Sequence, residues 1–116
     1  MLEGQKDTED VVVVAMTTFA DADQARQVGT QIVERQLVAC FQILPGVESI
    51  YQWKGDLEVE GECLCLLKTA GSRVAELERW LRENHPYEEP EFVVMPAVAG
   101  SEGYFDWVRG QVASKQ

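Results

Sequence analysis

The sequence holds one histidine, in the run His85-Pro86-Tyr87-Glu88-Glu89-Pro90-Glu91. An imidazole beside Glu88, Glu89 and Glu91 offers the mixed nitrogen and oxygen donors that a transition-metal ion takes. Zinc sites commonly use three or four protein ligands, so a lone histidine needs help, for instance from a second subunit. At a helix end the same residue also serves to cap carbonyls and meet the helix dipole. Cys63 and Cys65 stand two apart, so in a strand they face the same way. A thiolate pair suits Cu(I), but alternation with Leu64 and Leu66 is the pattern of small apolar residues in a core. Cys40 reads as buried and inert unless it lines a cleft. Glu58, Glu60 and Glu62 make a carboxylate stripe that either attracts hard cations weakly or simply meets water. Tyr51, Trp53, Tyr87, Tyr104 and Trp107 are enough aromatic surface for a cleft, though such residues more often serve core and interface. There is no G-x-S-x-G elbow, no P-loop and no G-x-G-x-x-G, and nothing in the spacing supports a Ser-His-Asp arrangement. These residues describe a small binding or regulatory protein rather than an enzyme.

The elements that must position them are legible from periodicity. Residues 1–9 read as a flexible polar tail, followed by a single domain over 10–113. The β-branched run from Val11 to Met16 is apolar on both faces and predicts a buried central strand, with a turn at Thr17–Ala20. Asp21, with Gln24 three residues on, is a capping box opening a helix to about Gln36 whose inward stripe is Ala22, Ala25, Val28, Ile32 and Val33. From Leu37 to Trp53 the odd positions are nearly all apolar, a period of two that predicts one long strand. Pro45-Gly46 marks a bulge or bend within it. Lys54-Gly55-Asp56 is a hairpin turn, and a return strand runs from Leu57 to Thr69. Ser72 is placed to cap a second helix to Asn84, ended by Pro86. Glu91–Pro96 is a fourth strand, Gly100–Gly103 a turn, and Tyr104 to Val112 a short closing helix.

Strand, helix, strand, strand, helix, strand is the order of an α+β ferredoxin-like sandwich, with two helices on one face of a four-stranded sheet. Yet Val11–Val14, Cys63–Leu67 and Phe92–Met95 are apolar on both faces. The second face needs a cover that the chain has no spare elements to supply, and a partner subunit is the economical one. The long hairpin agrees. Its distal half is expected to carry one apolar face (Val47, Tyr51, Trp53, Leu57, Val59) and one acidic face (Glu48, Glu58, Glu60, Glu62), an arm built for a neighbour. An obligate homo-oligomer follows.

Charge and composition bound the function. Ten Lys+Arg against twenty Asp+Glu give a formal net charge of −10, which disfavours nucleic acid and anionic membrane surfaces and attracts cations. The longest apolar run, Val11–Met16, is far short of the ~20 residues of a membrane span, and no secretory signal is legible. Three cysteines outside any disulfide spacing fit a cytoplasmic protein.

The motifs Leu37-Val38-Ala39-Cys40, Ile43-Leu44-Pro45-Gly46 and Ser49-Ile50-Tyr51-Gln52-Trp53-Lys54-Gly55 resemble the signature of the CutA divalent-cation tolerance family. Leu67-Lys68-Thr69, His85-Pro86-Tyr87-Glu88 with Pro90-Glu91, and Tyr104-Phe105-Asp106-Trp107 continue it in order, so the resemblance spans about Val11 to Val112. It implies a ferredoxin-like subunit in a compact homotrimer knitted by the long strands, a PII-like architecture with a cleft between subunits, and a role in tolerance of copper and other divalent cations without catalysis. Animal relatives are associated with anchoring another protein. The family's copper site uses a cysteine at the end of the first strand and paired histidines before Pro-Tyr. Here those positions are Met16 and Asn84-His85, which leaves His85, Met16 and Glu88 as the metal candidates. Cys40, Tyr51, Trp53, Lys68, Tyr87 and Trp107 are the residues the resemblance brings to the intersubunit cleft. The alternative it implies is a PII-like signalling or scaffold trimer whose cleft takes a small anionic ligand or a protein partner.

Overall fold

The computed structural model describes residues 3–5 and 10–113. In chain order the elements are β1 (Glu3–Gly4), β2 (Val12–Phe19), α1 (Ala22–Glu34), β3 (Cys40–Trp53), β4 (Asp56–Ala70), a 3-10 turn (Gly71–Arg73), α2 (Val74–Asn84), β5 (Val93–Pro96), β6 (Ala99–Gly100) and α3 (Glu102–Val112). β2 to β5 form one antiparallel sheet in the order β3-β4-β2-β5. This is the expected ferredoxin-like arrangement. Of the expected polar tail, Glu3–Gly4 pairs with β6, and the Gln5 carboxamide bonds to Val12 and to the Ala97 carbonyl. The rest of residues 1–9 lies outside the described residues.

Several boundaries shift for local reasons. The first strand runs through the expected turn to Phe19, because Thr17, Thr18 and Phe19 find partners in Cys65, Leu64 and Cys63 and β-branched and aromatic side chains suit a pleated, buried surface. Asp21 caps α1 as expected, accepting from the Gln24 N–H at 2.8 Å. Ser72 does not cap α2. It sits in the 3-10 turn and binds Asp10 through its backbone N–H and its hydroxyl.

α1 and α2 cover one face of the sheet. The core there gathers Ala15, Phe19, Ala25, Val28, Ile32, Leu37, Val38, Cys65, Leu67, Leu77 and Leu81. On the opposite face α3 covers only one corner, where Val12, Phe105 and Val108 pack together. Register puts Leu44, Leu64, Met16 and Leu66, with Val93 and Met95, on that second face. Leu44, Val93 and Met95 remain 41%, 47% and 43% exposed in the single chain.

The hairpin corrects one expectation. The two-residue turn Lys54–Gly55 has φ of 53° and 87°, the positive values that type I′ hairpin turns require. It pairs Trp53 with Asp56 and Tyr51 with Glu58. Cross-strand partners share a face, so Tyr51 and Trp53 stand among Glu58, Glu60 and Glu62, while Leu57 and Val59 face the other way with Ile50 and Glu48. A bulge between Leu44 and Val47, with Gly46 at φ 80°, inserts one residue and restores Phe41 opposite Leu67 in the core.

Candidate functional site

His85 is the C-cap of α2, and its N–H donates to the Leu81 carbonyl at 2.7 Å. Pro86 behind it disfavours another helical turn, so the chain leaves in extended geometry and turns the ring inward. The imidazole is 8% exposed and stacks on Phe19 with ring centroids 4.3 Å apart. Its Nε2 lies 2.7 Å from the Thr18 carbonyl. A carbonyl only accepts, so Nε2 carries the proton. Nδ1 then accepts from the Tyr87 N–H at 3.0 Å. Both nitrogens are engaged within the chain, in the neutral form. Burial lowers the His85 pKa, against smaller upward pulls from the Thr18 carbonyl and Glu62.

Tyr87 extends the cluster. Its ring lies 4.9 Å from that of His85, and its hydroxyl donates to Glu62 Oε2 at 2.9 Å. Burial and then Glu62 push the Tyr87 hydroxyl up, out of reach of ionisation near neutrality. His85, Tyr87, Phe19, the Thr18 carbonyl and Glu62 thus form one connected site where the end of α2 meets β2 and the hairpin. The resemblance pointed to His85 and Tyr87. It did not point to Glu62, whose signal was the two-residue turn that puts it on the aromatic side of the hairpin.

The other candidates separate. Met16 faces away from Phe19, and so from the ring of His85, because successive strand residues alternate. Glu88 is exposed in the bend after Pro86. Among the described residues no three His, Cys, Asp or Glu side chains gather as a metal would need. Cys63 and Cys65 are buried, and burial, with Cys63 beside it, pushes the Cys65 thiol up to about 12. An apolar, protonated thiol is a core residue rather than a ligand.

The cleft candidates fall in three places. Tyr87 belongs to the histidine site. Tyr51 and Trp53 stand near the hairpin tip. Loss of water, then Glu60, Glu62 and Glu58, raise the Tyr51 pKa, and the Lys54 ammonium lies 5.9 Å from the Trp53 ring centroid. Cys40 is directly opposite Lys68 on the sparsely covered sheet face. The Lys68 Nζ lies 5.5 Å from the Tyr104 ring centroid, and Tyr104 is 5.7 Å from Trp107. Among the described residues no helix is long and apolar enough to cross a membrane.

Residues 13–111 match the family model described as CutA1 divalent ion tolerance protein. The chain is 37% identical over 98 residues to Protein CutA of Homo sapiens, covering 84% of this chain and 55% of that one. The chain therefore spans little more than half the length of this eukaryotic relative. It is also 37% identical over 101 residues to the divalent-cation tolerance protein CutA of Thermus thermophilus, covering 87% of this chain and 95% of that one. Among solved structures, CutA from Synechococcus elongatus superposes with a TM-score of 0.89 at 31% identity, covering 97% and 96% of the two chains. With the family model matching residues 13–111 and the overall fold in agreement over nearly the whole length, the chain belongs to the CutA1 divalent ion tolerance family.

Proposed function

We propose that the chain acts as a cytoplasmic homotrimer in the response to divalent metal ions, taking copper or another divalent cation at contacts between subunits and catalysing no reaction. The observation that carries the assembly half is the second sheet face, where Leu44, Val93 and Met95 are exposed in the single chain and only α3 covers a corner. A partner subunit buries that face at no cost in new elements. The metal half rests on the family and on the arrangement of His85. Its ring is held inside one subunit and Met16 lies on the opposite sheet face, so a set that joins them has to be completed across a subunit boundary. Glu88 and the hairpin carboxylates are the oxygen donors available there. For a cation, His85 must release the Tyr87 N–H from Nδ1, which makes binding weak and coupled to the 85–89 bend.

A second reading draws on Lys68, which lies opposite Cys40 on the second sheet face and against Tyr104 of α3. A cation over an aromatic ring at a subunit boundary suits a small anionic ligand, as in a PII-like signalling or scaffold trimer. Native mass spectrometry with and without Cu²⁺ and Zn²⁺ separates the two. A trimer that takes a fixed number of ions, lost in His85→Ala and kept in Lys68→Ala, is the expected result. A trimer that takes none leaves the second reading, and a monomer removes both.

A further inference from the structure

Arginine has little difficulty finding a carboxylate in a chain of net charge −10. Arg26 pairs with Asp23, Arg73 with Glu76, Arg82 with Glu78 and Arg109 with Asp106. Arg35 and Arg79 pair with no carboxylate among the described residues, and both line the same groove, between the end of α1 and α2. The groove has a volume of about 400 Å³, within the ~300–1,000 Å³ of small-ligand sites. Leu37 and Trp80 supply its apolar surface.

The Arg35 guanidinium carbon lies 5.6 Å from the Trp80 ring centroid. Cation–π attraction of this kind leaves guanidinium N–H donors for a carboxylate. It also fixes a long side chain beforehand, which lowers the entropy lost on binding. Glu76 lines the groove but is held by Arg73 at 3.1 Å. Glu83, also at the groove, sets a limit on ligand charge, since it repels phosphate and polycarboxylates more than a single carboxylate.

We propose that this groove binds a small organic monocarboxylate, with its carboxylate on Arg35 and Arg79 and its apolar body against Trp80 and Leu37. The site is separate from the histidine cluster and from the bare sheet face, and stands or falls independently of metal handling.

Benzoate is the probe, and benzamide its uncharged counterpart. The indole N–H of Trp80 is followed by NMR in the full chain, with the signal assigned through Trp80→Phe. Benzoate should shift it saturably. Arg35→Gln and Arg79→Gln should each weaken binding about tenfold or more, the loss of one charge-assisted contact. No saturable shift with benzoate, an equal response to benzamide, or unchanged affinity in both glutamine variants would overturn the site. Inorganic phosphate binding as tightly as benzoate would overturn the ligand class.

Discussion

His85 is held neutral by geometry, and that has a consequence for stability. Its Nδ1 accepts from the Tyr87 N–H while Nε2–H donates to Thr18, so an imidazolium would set one N–H against another. Burial accordingly lowers its pKa below the ordinary 6.5. The unfolded chain then binds this proton more readily than the folded one. The contribution is complete above about 6.5 and is lost as pH falls through the lower folded value. At fixed protein concentration, the urea midpoint should therefore fall between about pH 6.5 and 5, above the range of ordinary carboxylates. His85→Gln should flatten that interval. Equal slopes in the two proteins would show that another group carries the effect. The phenol of Tyr87 is the second residue to test. Tyr87→Phe removes its bond to Glu62, a carboxylate that water can still reach. The expected loss is about 1 kcal/mol, read as a lower urea midpoint with no change in slope.

At the scale of elements, α1 approaches β3 closely because Gly29 lacks a side chain. A Cβ there would lie 2.5 Å from Cδ1 of Phe41. Gly→Ala in an open helix interior gains roughly 1 kcal/mol, so the sign of Gly29→Ala is informative. Overpacking costs ~1–3 kcal/mol, and we expect a net loss of about 1 kcal/mol in chemical unfolding, recovered when Phe41→Leu is added. A stabilised Gly29→Ala would mean the helix simply moves. The sequence made much of this legible. The period of two, the turn residues and the Asp21 cap located the sheet and α1 within a few residues. What it did not make legible was pairing. A two-residue turn matches odd positions of β3 with even positions of β4, while the core requires Phe41 opposite Leu67, odd with odd. One extra residue must lie between, and Pro45-Gly46 provides it. Reading the strands separately hid that count and put Tyr51 and Trp53 on the wrong face. For the same reason the partnership of Tyr87 with Glu62 was not apparent, because it depends on register rather than on either motif. Ser72 misled because Asp10, distant in sequence, claims its hydroxyl and N–H.

At the scale of the whole molecule, the single chain is more extended than its length requires. Its radius of gyration is 15.2 Å, against about 13 Å for a compact domain of this size. The hairpin carries the strands past the helices, and its far half exposes Ile50, Leu57 and Val59 on one side and Trp53 on the other. Apolar side chains at 40% exposure or more across both the arm and the second sheet face are the surface that the proposed assembly would remove from water. Trp53→Glu should then damage assembly more than it damages the subunit, because Trp53 lies outside both buried clusters. A new carboxylate beside Asp56 and Glu58 also strains the hairpin itself, so a second variant is needed. Met95→Lys serves. Met95 is 43% exposed in the single chain, and a lysine there meets water as readily as a methionine does, provided no subunit covers it. Sedimentation should give three times 13.0 kDa for the wild type and a smaller species for each variant, with the far-ultraviolet circular dichroism of the sheet retained. A trimeric Met95→Lys would mean that the bare face is not where the subunits meet, and an intact Trp53→Glu trimer would remove the arm from the interface.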